Sequence, residues 1–168
     1  VAGSHTRGDP VDHHLFRDGQ AQRHRMLHVT SDYFRTLRCE PFRGVGFVPQ
    51  DQVAAPETER QRDLDDDVGG ARRVVLSDAL WRSRFNSDAS VVGETIHLTG
   101  EPYETAGIAG PGCEDPIVGG VDAWLPYHLD NEPQNYELTV IGRMRRGGTL
   151  HQAQAELDVF SESLKAQW

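Results

Sequence analysis

One stretch of the chain, from Val74 to Ile108, has the clearest pattern of apolar and polar positions. The short apolar run that ends before Ser77 predicts a buried strand. The hydroxyl of Ser77 can cap a short helix, on which Trp81 and Phe85 lie one turn apart. Asn86 is suited to end this helix, because Asn tolerates the left-handed conformation that helix ends require. The pattern therefore predicts a strand followed directly by a helix.

The same stretch continues as a predicted β-hairpin. Ile96 and Leu98 alternate with polar residues, which is the period of a half-buried strand. Gly100 allows the chain to turn, and the segment from Tyr103 to Ile108 has the composition of the partner strand. Nothing in this central stretch is a catalytic signature.

N-terminal to this stretch the pattern is weaker. Residues 1–20 are polar and contain several glycines, so we expect a loosely ordered lead-in with one short strand near Leu15 and Phe16. The segment from Arg23 to Thr30 alternates and predicts a strand. The helix that follows should have one or two turns and be capped by Ser31 or Thr30; its apolar residues are Tyr33, Phe34 and Leu37.

Three segments lack a regular pattern and are expected to be irregular. The longest of them is rich in acidic and polar residues, so we expect a mobile surface loop there. The three segments are Pro41 to Val48, the acidic loop from Pro49 to Arg72, and the Gly-rich loop from Gly110 to Gly120.

The C-terminal part predicts two strands and one long helix. The strands are Val121 to Pro126 and Glu137 to Met144. Thr149 and Gln152 have the spacing of a capping box, which marks a helix start. The helix carries one apolar stripe, for which we expect core packing; its residues are Leu150, Ala153, Leu157, Phe160 and Leu164.

Composition and charge exclude several classes of protein. The 168 residues have a formal net charge of −9, and Lys165 is the single lysine. An acidic chain is a poor candidate for nucleic acid or anionic lipid, which both require clustered basic residues. No run of apolar residues is long enough to span a membrane, and no signal peptide is recognisable. Because the chain starts with Val1, we expect it to be a piece of a longer product.

The eight histidines raise the hypothesis of a metal site. His24 and His28 have a spacing that chelates zinc only on a helix, and on a strand they would lie about 13 Å apart. Asp63, Asp65 and Asp67 resemble the start of a calcium loop, but the required later Gly and Glu are missing. We therefore expect no metal site and no cofactor.

Nucleophilic and nucleotide chemistry are not favoured either. Ser77 follows a predicted strand but lacks the flanking glycines of a hydrolase nucleophile. No phosphate-binding loop is present. Cys39 and Cys113 lie in predicted loops and could form a disulfide outside the cytoplasm or remain small buried residues inside it. The sequence therefore offers no catalytic residue.

Several short segments, in this order, resemble the MacB-like periplasmic core domain. The resemblance runs from about Leu27 to Leu164, and each segment alone is weak. The segments are Tyr33-Phe34-Arg35-Thr36-Leu37, Gly44-x-Gly46-Phe47, Val74 to Phe85, Val91-Val92-Gly93-x-Thr95-Ile96, Gly100-x-Pro102-Tyr103, Gly107-Ile108, Asp122-x-Trp124-Leu125-Pro126, Ile141-Gly142-Arg143 and Gly147-x-Thr149-Leu150 through Leu157.

The resemblance implies an α+β fold with two parts. Porter-like βα units, residues 1–43 and 136–168, would flank an inserted mixed α/β subdomain with a β-hairpin, residues 44–135. The porter-like part is expected to be incomplete at its N terminus, because the family's first strand and helix are not recognisable before Leu15.

The resemblance also implies a function without catalysis. Such a domain is the extracytoplasmic part of an ABC transporter permease of the MacB/FtsX type, on the periplasmic or extracellular side of the membrane. It would couple ATP-driven motion of membrane helices to substrate or adaptor handling. Its partners would be the membrane-embedded remainder of the permease, an ATP-binding subunit or domain, and an adaptor protein. The alternatives are a secreted metal-dependent hydrolase and a free-standing ligand-binding module.

An incomplete porter-like part would leave a sheet edge and one helix face uncovered. We therefore expect self-association through an interaction surface formed by Leu157, Phe160 and Leu164. We name these three residues the stripe surface.

Overall fold

Strands dominate the computed structural model, which describes residues 3–7, 10–17, 19–53, 71–128 and 138–165. The fold is α+β, as expected. The strands are β1 (Gly3–Arg7), β2 (Val11–Arg17), β3 (Gln20–Val29), β4 (Pro41–Gly44), β5 (Arg73–Leu76), β6 (Thr95–Leu98), β7 (Glu101–Ala109), β8 (Ala123–Pro126) and β9 (Leu138–Gly142). The α-helices in this part of the chain are α1 (Tyr33–Leu37), α2 (Asp78–Phe85) and α3 (Leu150–Lys165).

The nine strands form one sheet, and six of them close into a ring. Backbone pairing follows the order β2, β6, β7, β5, β8 and β3, and β2 also pairs with β3. The pairs β3–β8 and β5–β7 are parallel, and the other pairs of the ring are antiparallel. A closed ring leaves these strands few free edges.

Three strands extend the sheet beyond the ring. β1 pairs with the end of β3 and with β9. The C-terminal strand β9 therefore joins the sheet through the N-terminal strand β1. β4 pairs with the end of β7. The strand β3, from the predicted porter-like part, and β8, from the predicted insert, are hydrogen-bonded neighbours. The division into two subdomains remains a prediction.

Both faces of the central strands are buried, as in sheets with two covered faces. On β5, Val74 and Leu76 belong to one apolar cluster, whereas Val75 belongs to the other. On β8, Leu125 belongs to the first of these clusters and Trp124 to the second. Residues of α2 complete the first cluster and residues of α1 complete the second. The alternation of the sequence thus builds two cores that share one sheet.

Local capping follows the sequence in the central stretch. The Leu80 amide donates a hydrogen bond to Ser77 Oγ at 3.1 Å, and Asn86 ends α2 in the left-handed region with φ 52°. The predicted strand, helix and hairpin of this stretch are confirmed. The hairpin pairs Thr95 with Glu104 and Leu98 with Glu101.

Three expectations are wrong. The lead-in is not loosely ordered, because its described residues form β1 and β2; the short strand expected near Leu15 and Phe16 is confirmed as part of β2, and Leu15 is buried in the first cluster. The segment Pro41 to Val48 is not wholly irregular, because it contains β4. The N-cap of α1 is Asp32 and not Ser31 or Thr30, and no side chain caps this helix end. Residues 54–70 of the acidic loop, with Asp63, Asp65 and Asp67, lie outside the described residues, whereas its first residues form a 3-10 helix (Pro49–Gln52) in which Asp51 is buried.

Candidate functional site

The helix α3 carries the stripe surface and begins at the predicted capping box. The Thr149 amide donates to Gln152 Oε1 at 3.1 Å, and the Gln152 amide donates to Thr149 Oγ1 at 3.2 Å. These two bonds satisfy backbone and side-chain groups at a helix start that would otherwise lack partners. The sequence signal for this helix is therefore confirmed.

The expectation that this stripe packs into the core is wrong for the side chains that the structure describes. Leu150 is 77% exposed, Leu157 61% and Phe160 60%. Helix α3 makes no extensive contact with another helix or strand in the described ranges. Each large apolar side chain that stays exposed to water instead of being buried forgoes about 1.5–3 kcal/mol of stabilisation, and three such side chains lie on the stripe of this helix. That they bind a partner remains a prediction.

The segment before α3 is anchored to α1 by one hydrogen bond. The guanidinium of Arg143 donates through Nε to the backbone oxygen of Thr36 at 2.6 Å. Arg145 forms an ion pair with Glu156 of α3 at 3.2 Å. The hydrogen bond from Arg143 fixes the position at which the segment between β9 and α3 leaves the sheet. The exposed ion pair of Arg145 with Glu156 adds little to stability.

The structure brings together histidines that the sequence separates. His24 and His28 lie on β3, as expected, but His13 of β2 is directly opposite His24. His24 Nδ1 lies 3.2 Å from Asp122 Oδ2, and the rings of His13 and His28 have centroids 6.2 Å apart. Among all residues that the structure describes, no group of three or more His, Cys, Asp or Glu side chains is arranged to hold a metal ion.

A buried tyrosine and a buried aspartate join α1 to the loop from Gly110 to Gly120. Tyr33 donates its hydroxyl hydrogen bond to Asp115 Oδ2 at 2.9 Å. The other carboxylate oxygen accepts the amides of Ile117 and Val118 at 2.8 and 2.9 Å. Burial raises the pKa of Tyr33 well above its ordinary value, and the Asp115 carboxylate raises it further.

A disulfide between Cys39 and Cys113 connects the segment directly after α1 with the same loop. Their Cα atoms are 5.3 Å apart, within the range of native disulfides. Of the two alternatives for these cysteines, the structure has the disulfide. Loop and helix are therefore held by one covalent bond and one buried hydrogen bond.

A groove of about 520 Å³ lies between α1 and the segment after β4. Phe34 and Phe47 line it with the backbone of Gly46, and an Arg35–Asp32 ion pair lies at its rim. A concave surface with an apolar lining and a few charged groups can bind a peptide or small molecule. This groove could not be expected from the sequence, in which Pro41 to Val48 has no pattern that predicts a strand.

The comparisons with known proteins agree with this fold. The family described as MacB-like periplasmic core domain matches residues 16–159. The periplasmic region of MacB from Actinobacillus actinomycetemcomitans superimposes with a TM-score of 0.62 at 13% identity, over 96% of this chain and 66% of that one. No curated protein is a significant match.

Two further solved structures are similar. The extracellular domain of the noncanonic ABC-type transporter YknZ from Gram-positive bacteria has a TM-score of 0.51 at 14% identity, over 73% of this chain and 54% of that one. A domain of a Porphyromonas gingivalis protein described as a permease has a TM-score of 0.57 at 16% identity, over 95% and 62%. The chain thus spans about two thirds or less of the length of these structures.

Within the described ranges, no helix has the length and apolar character needed to cross a bilayer. The family match covers most of the chain and includes both apolar clusters except Leu15. The resemblance of the sequence and the match of the fold therefore agree. The chain belongs to the family of MacB-like periplasmic core domains of ABC transporter permeases.

Proposed function

We propose that this chain is the extracytoplasmic domain of an ABC transporter permease subunit, in which it transmits ATP-driven motion of membrane helices to substrate or adaptor handling. The observation that carries the proposal is the family match over residues 16–159. The domain itself is non-catalytic and binds neither a cofactor nor nucleic acid. Its partners are the membrane-embedded remainder of the permease, an ATP-binding subunit or domain, an adaptor protein and a second copy.

Two features of the structure support a mechanical role. The ring of six paired strands, with a core on each face, resists deformation. The disulfide and the Tyr33–Asp115 hydrogen bond fix the loop after β7 to α1. A domain held in this way can move as one body when membrane helices move. The groove beside α1 is then a surface for substrate or adaptor on that body.

The location can be tested by cysteine labelling in cells that produce the intact permease. Val140 on β9 is 59% exposed, so Val140→Cys should react with a membrane-impermeant maleimide without permeabilisation. Val75→Cys is the control, because Val75 is fully buried and should not react in the folded protein. Labelling of Val140→Cys only after permeabilisation would contradict the proposed location.

The coupling can be tested with the same variant in membranes. A fluorophore on Val140→Cys and an acceptor in the lipid report the distance between the domain and the membrane. We expect the transfer efficiency to change when ATP and Mg²⁺ are added. In the control, ADP is added to a permease whose ATP-binding subunit carries a hydrolysis-blocking substitution, and the transfer efficiency should stay constant. An unchanged distance under ATP turnover would contradict a transmitting role.

The enzyme alternative has a separate test. Purified chain should hydrolyse neither nucleotides nor ester or phosphate substrates, because Ser77 is buried and holds the start of α2 through its hydroxyl. Turnover that copurifies with the folded chain and disappears in His24→Ala would favour the hydrolase.

A further inference from the structure

Three histidines lie on the face of the β2–β3 hairpin that borders the first apolar cluster. His13 of β2 is directly opposite His24 of β3. Successive side chains of a strand point to opposite faces, so these two histidines share the face of Leu15 and Met26, which belong to that cluster. His28 lies on the same face, two positions beyond Met26, and is 7% exposed. The three imidazoles therefore border a core instead of the outward side of the hairpin.

A row of polar contacts crosses four neighbouring elements at this level. His13 Nδ1 lies 3.3 Å from Oγ1 of Thr99, in the turn after β6, and His24 Nδ1 lies 3.2 Å from Oδ2 of Asp122, the residue before β8. The side chain of His24 is 11% exposed, and its Nε2 atom is buried without a hydrogen-bond partner in the described part of the chain. Charges in such surroundings interact strongly, because little water screens them.

The backbone of Thr99 is strained, and its contacts with β2 explain why a threonine stands there. Thr99 has φ 51° and Gly100 has φ 92°, as in the type I′ turn of a hairpin. Such turns favour Asn and Gly, and a β-branched residue is an outlier in this region. The Thr99 amide donates to the backbone oxygen of His14 at 2.7 Å, and the His14 amide donates to Thr99 Oγ1 at 3.2 Å. The turn is thereby fastened to β2 beside a short seam, at which β2 and β6 are paired at two residue positions.

The hydrogen bonds of Thr99 fit a neutral His13. The hydroxyl oxygen accepts from the His14 amide, so its hydrogen is left to donate to His13 Nδ1, which accepts only while it carries no proton. In an imidazolium both ring nitrogens are donors, and the Thr99 hydroxyl loses this acceptor. The new charge would also lie opposite His24 and near His28, whose ring centroid is 6.2 Å from that of His13. Protonation therefore opposes the contact between β2 and the turn.

The charged groups around His13 do not offset such a charge. Asp122 lies beyond His24, so its carboxylate favours a proton on His24 first. Arg17 adds a positive charge to the same face of β2, and Glu101 of β7 already forms an ion pair with an arginine before β5. By strand alternation the other titratable or charged groups of β2, β3 and β6 near this level are on the outward face; they are Asp12, His14, Arg23, Arg25 and His97.

We propose that His13 makes the closure of the strand ring sensitive to pH: the neutral imidazole holds β2 to the turn after β6 through Thr99, and its protonation in acid loosens this seam. A histidine that stays neutral in the folded chain takes up its proton on unfolding, so stability falls as pH falls below about 6.5. For one such histidine the unfolding equilibrium constant rises about tenfold from pH 7.5 to pH 5.5. In the proposed extracytoplasmic position the seam would respond to the pH outside the cell, whereas the response itself does not depend on that position.

Urea unfolding of the purified 168-residue chain at pH 7.5 and pH 5.5 tests this contribution. The acid-induced rise of the unfolding equilibrium constant should be about tenfold smaller in His13→Gln than in the parent, because glutamine is polar but takes up no proton. His14→Gln is the matched control, since it removes the neighbouring histidine, which is exposed, and it should respond as the parent does. An equal response of His13→Gln and the parent overturns the proposal.

Hydrogen exchange of the parent chain locates the loosened contact without any substitution. After correction for the intrinsic pH dependence of amide exchange, peptides from β2 and β6 should lose protection at pH 5.5, whereas peptides from β5 should keep it. Unchanged protection of β2 and β6, or an equal loss in β5, overturns the proposal. The maleimide labelling of Val140→Cys in cells is independent of both measurements, so a failed pH response and a failed permease assignment are told apart.

Discussion

Gly44 of β4 and Gly107 of β7 are directly opposite each other, and neither has room for a side chain. A Cβ atom on Gly107 would lie 2.5 Å from the backbone oxygen of Val45, and one on Gly44 would lie 2.3 Å from that of Ala106. Gly44 also has φ +68°, which favours glycine. The two glycines therefore allow β4 to lie close to β7 and to form one side of the groove.

We expect Gly107→Ala to lower the free energy of unfolding by about 1–3 kcal/mol, because the backbone atoms that meet the new methyl group cannot turn away as a side chain can. Gly110→Ala is the control, since nothing lies near its Cβ position and it should change stability by less than about 0.5 kcal/mol. Urea unfolding followed by circular dichroism measures both. Equal stability of the two variants would show that β4 is free to move away from β7.

Tyr33→Phe should destabilise the chain by about 1–3 kcal/mol, because it leaves a buried oxygen of Asp115 without its hydroxyl partner. A double-mutant cycle with Asp115→Ala isolates this contact from the general effects of each substitution. Additive losses in the cycle would mean that the hydrogen bond does not contribute to stability.

The raised pKa of Tyr33 also predicts a dependence on pH. In the unfolded chain this hydroxyl ionises near pH 10, whereas the folded chain retains its proton to a higher pH. The contribution of Tyr33 to the free energy of unfolding is therefore fully present below about pH 10. As pH rises further this contribution is lost, by at most about 1.4 kcal/mol per pH unit. Urea midpoints from about pH 8.5 to 11 should fall more steeply for the parent than for Tyr33→Phe. Parallel curves would contradict the prediction.

Removing the disulfide should lower the free energy of unfolding by about 2–4 kcal/mol. The bond joins residues separated by 74 positions in the sequence and therefore restricts the unfolded chain. The double variant Cys39→Ala/Cys113→Ala should unfold at a lower temperature than the parent. A reducing agent should lower the parent's midpoint toward that of the variant and leave the variant unchanged. A parent whose midpoint does not respond to reduction would show that the bond does not limit unfolding.

Thr149→Ala should loosen α3 without weakening the rest of the chain. The lost cap is worth about 1 kcal/mol to the helix, which corresponds to about fivefold faster amide exchange in its first turns. Because α3 makes no extensive contact with the sheet, the global unfolding midpoint should stay the same. Hydrogen exchange measured by mass spectrometry, in the parent chain and in Thr149→Ala, checks both statements. A lowered global midpoint would show that α3 unfolds together with the cores.

The sequence was sufficient at most helix ends where local chemistry determines structure, the N-cap of α1 at Asp32 being the exception. The cap at Ser77, the left-handed end at Asn86 and the capping box at Thr149 all have the predicted geometry. The strands that bury a continuous apolar run, such as β5, were also predictable. In each case the signal lies within a few residues of its effect.

Strand β4 was not predicted from apolar periodicity, and β2 was predicted only as a short strand near Leu15 and Phe16. β2 buries little besides Leu15, because its position depends on backbone pairing with β3 and β6. One signal was available, since Asp18-Gly19 separates the paired residues Arg17 and Gln20 and is a typical hairpin turn sequence. Contacts between residues far apart in the sequence, such as Tyr33 with Asp115, produce no periodic pattern of apolar residues. They can be identified only from the folded structure.

The bond between Cys39 and Cys113 also determines how the chain carries tension. A force that pulls the two ends apart passes from residue 39 directly to residue 113, so the polypeptide between them bears no load. The separation of 74 residues corresponds to about 250 Å of contour length that cannot be extended while the bond is intact. Strands β5, β6 and β7 lie inside this unloaded section. When the chain is pulled at both ends, the hairpin side of the sheet is therefore protected from stretching as long as the disulfide is intact.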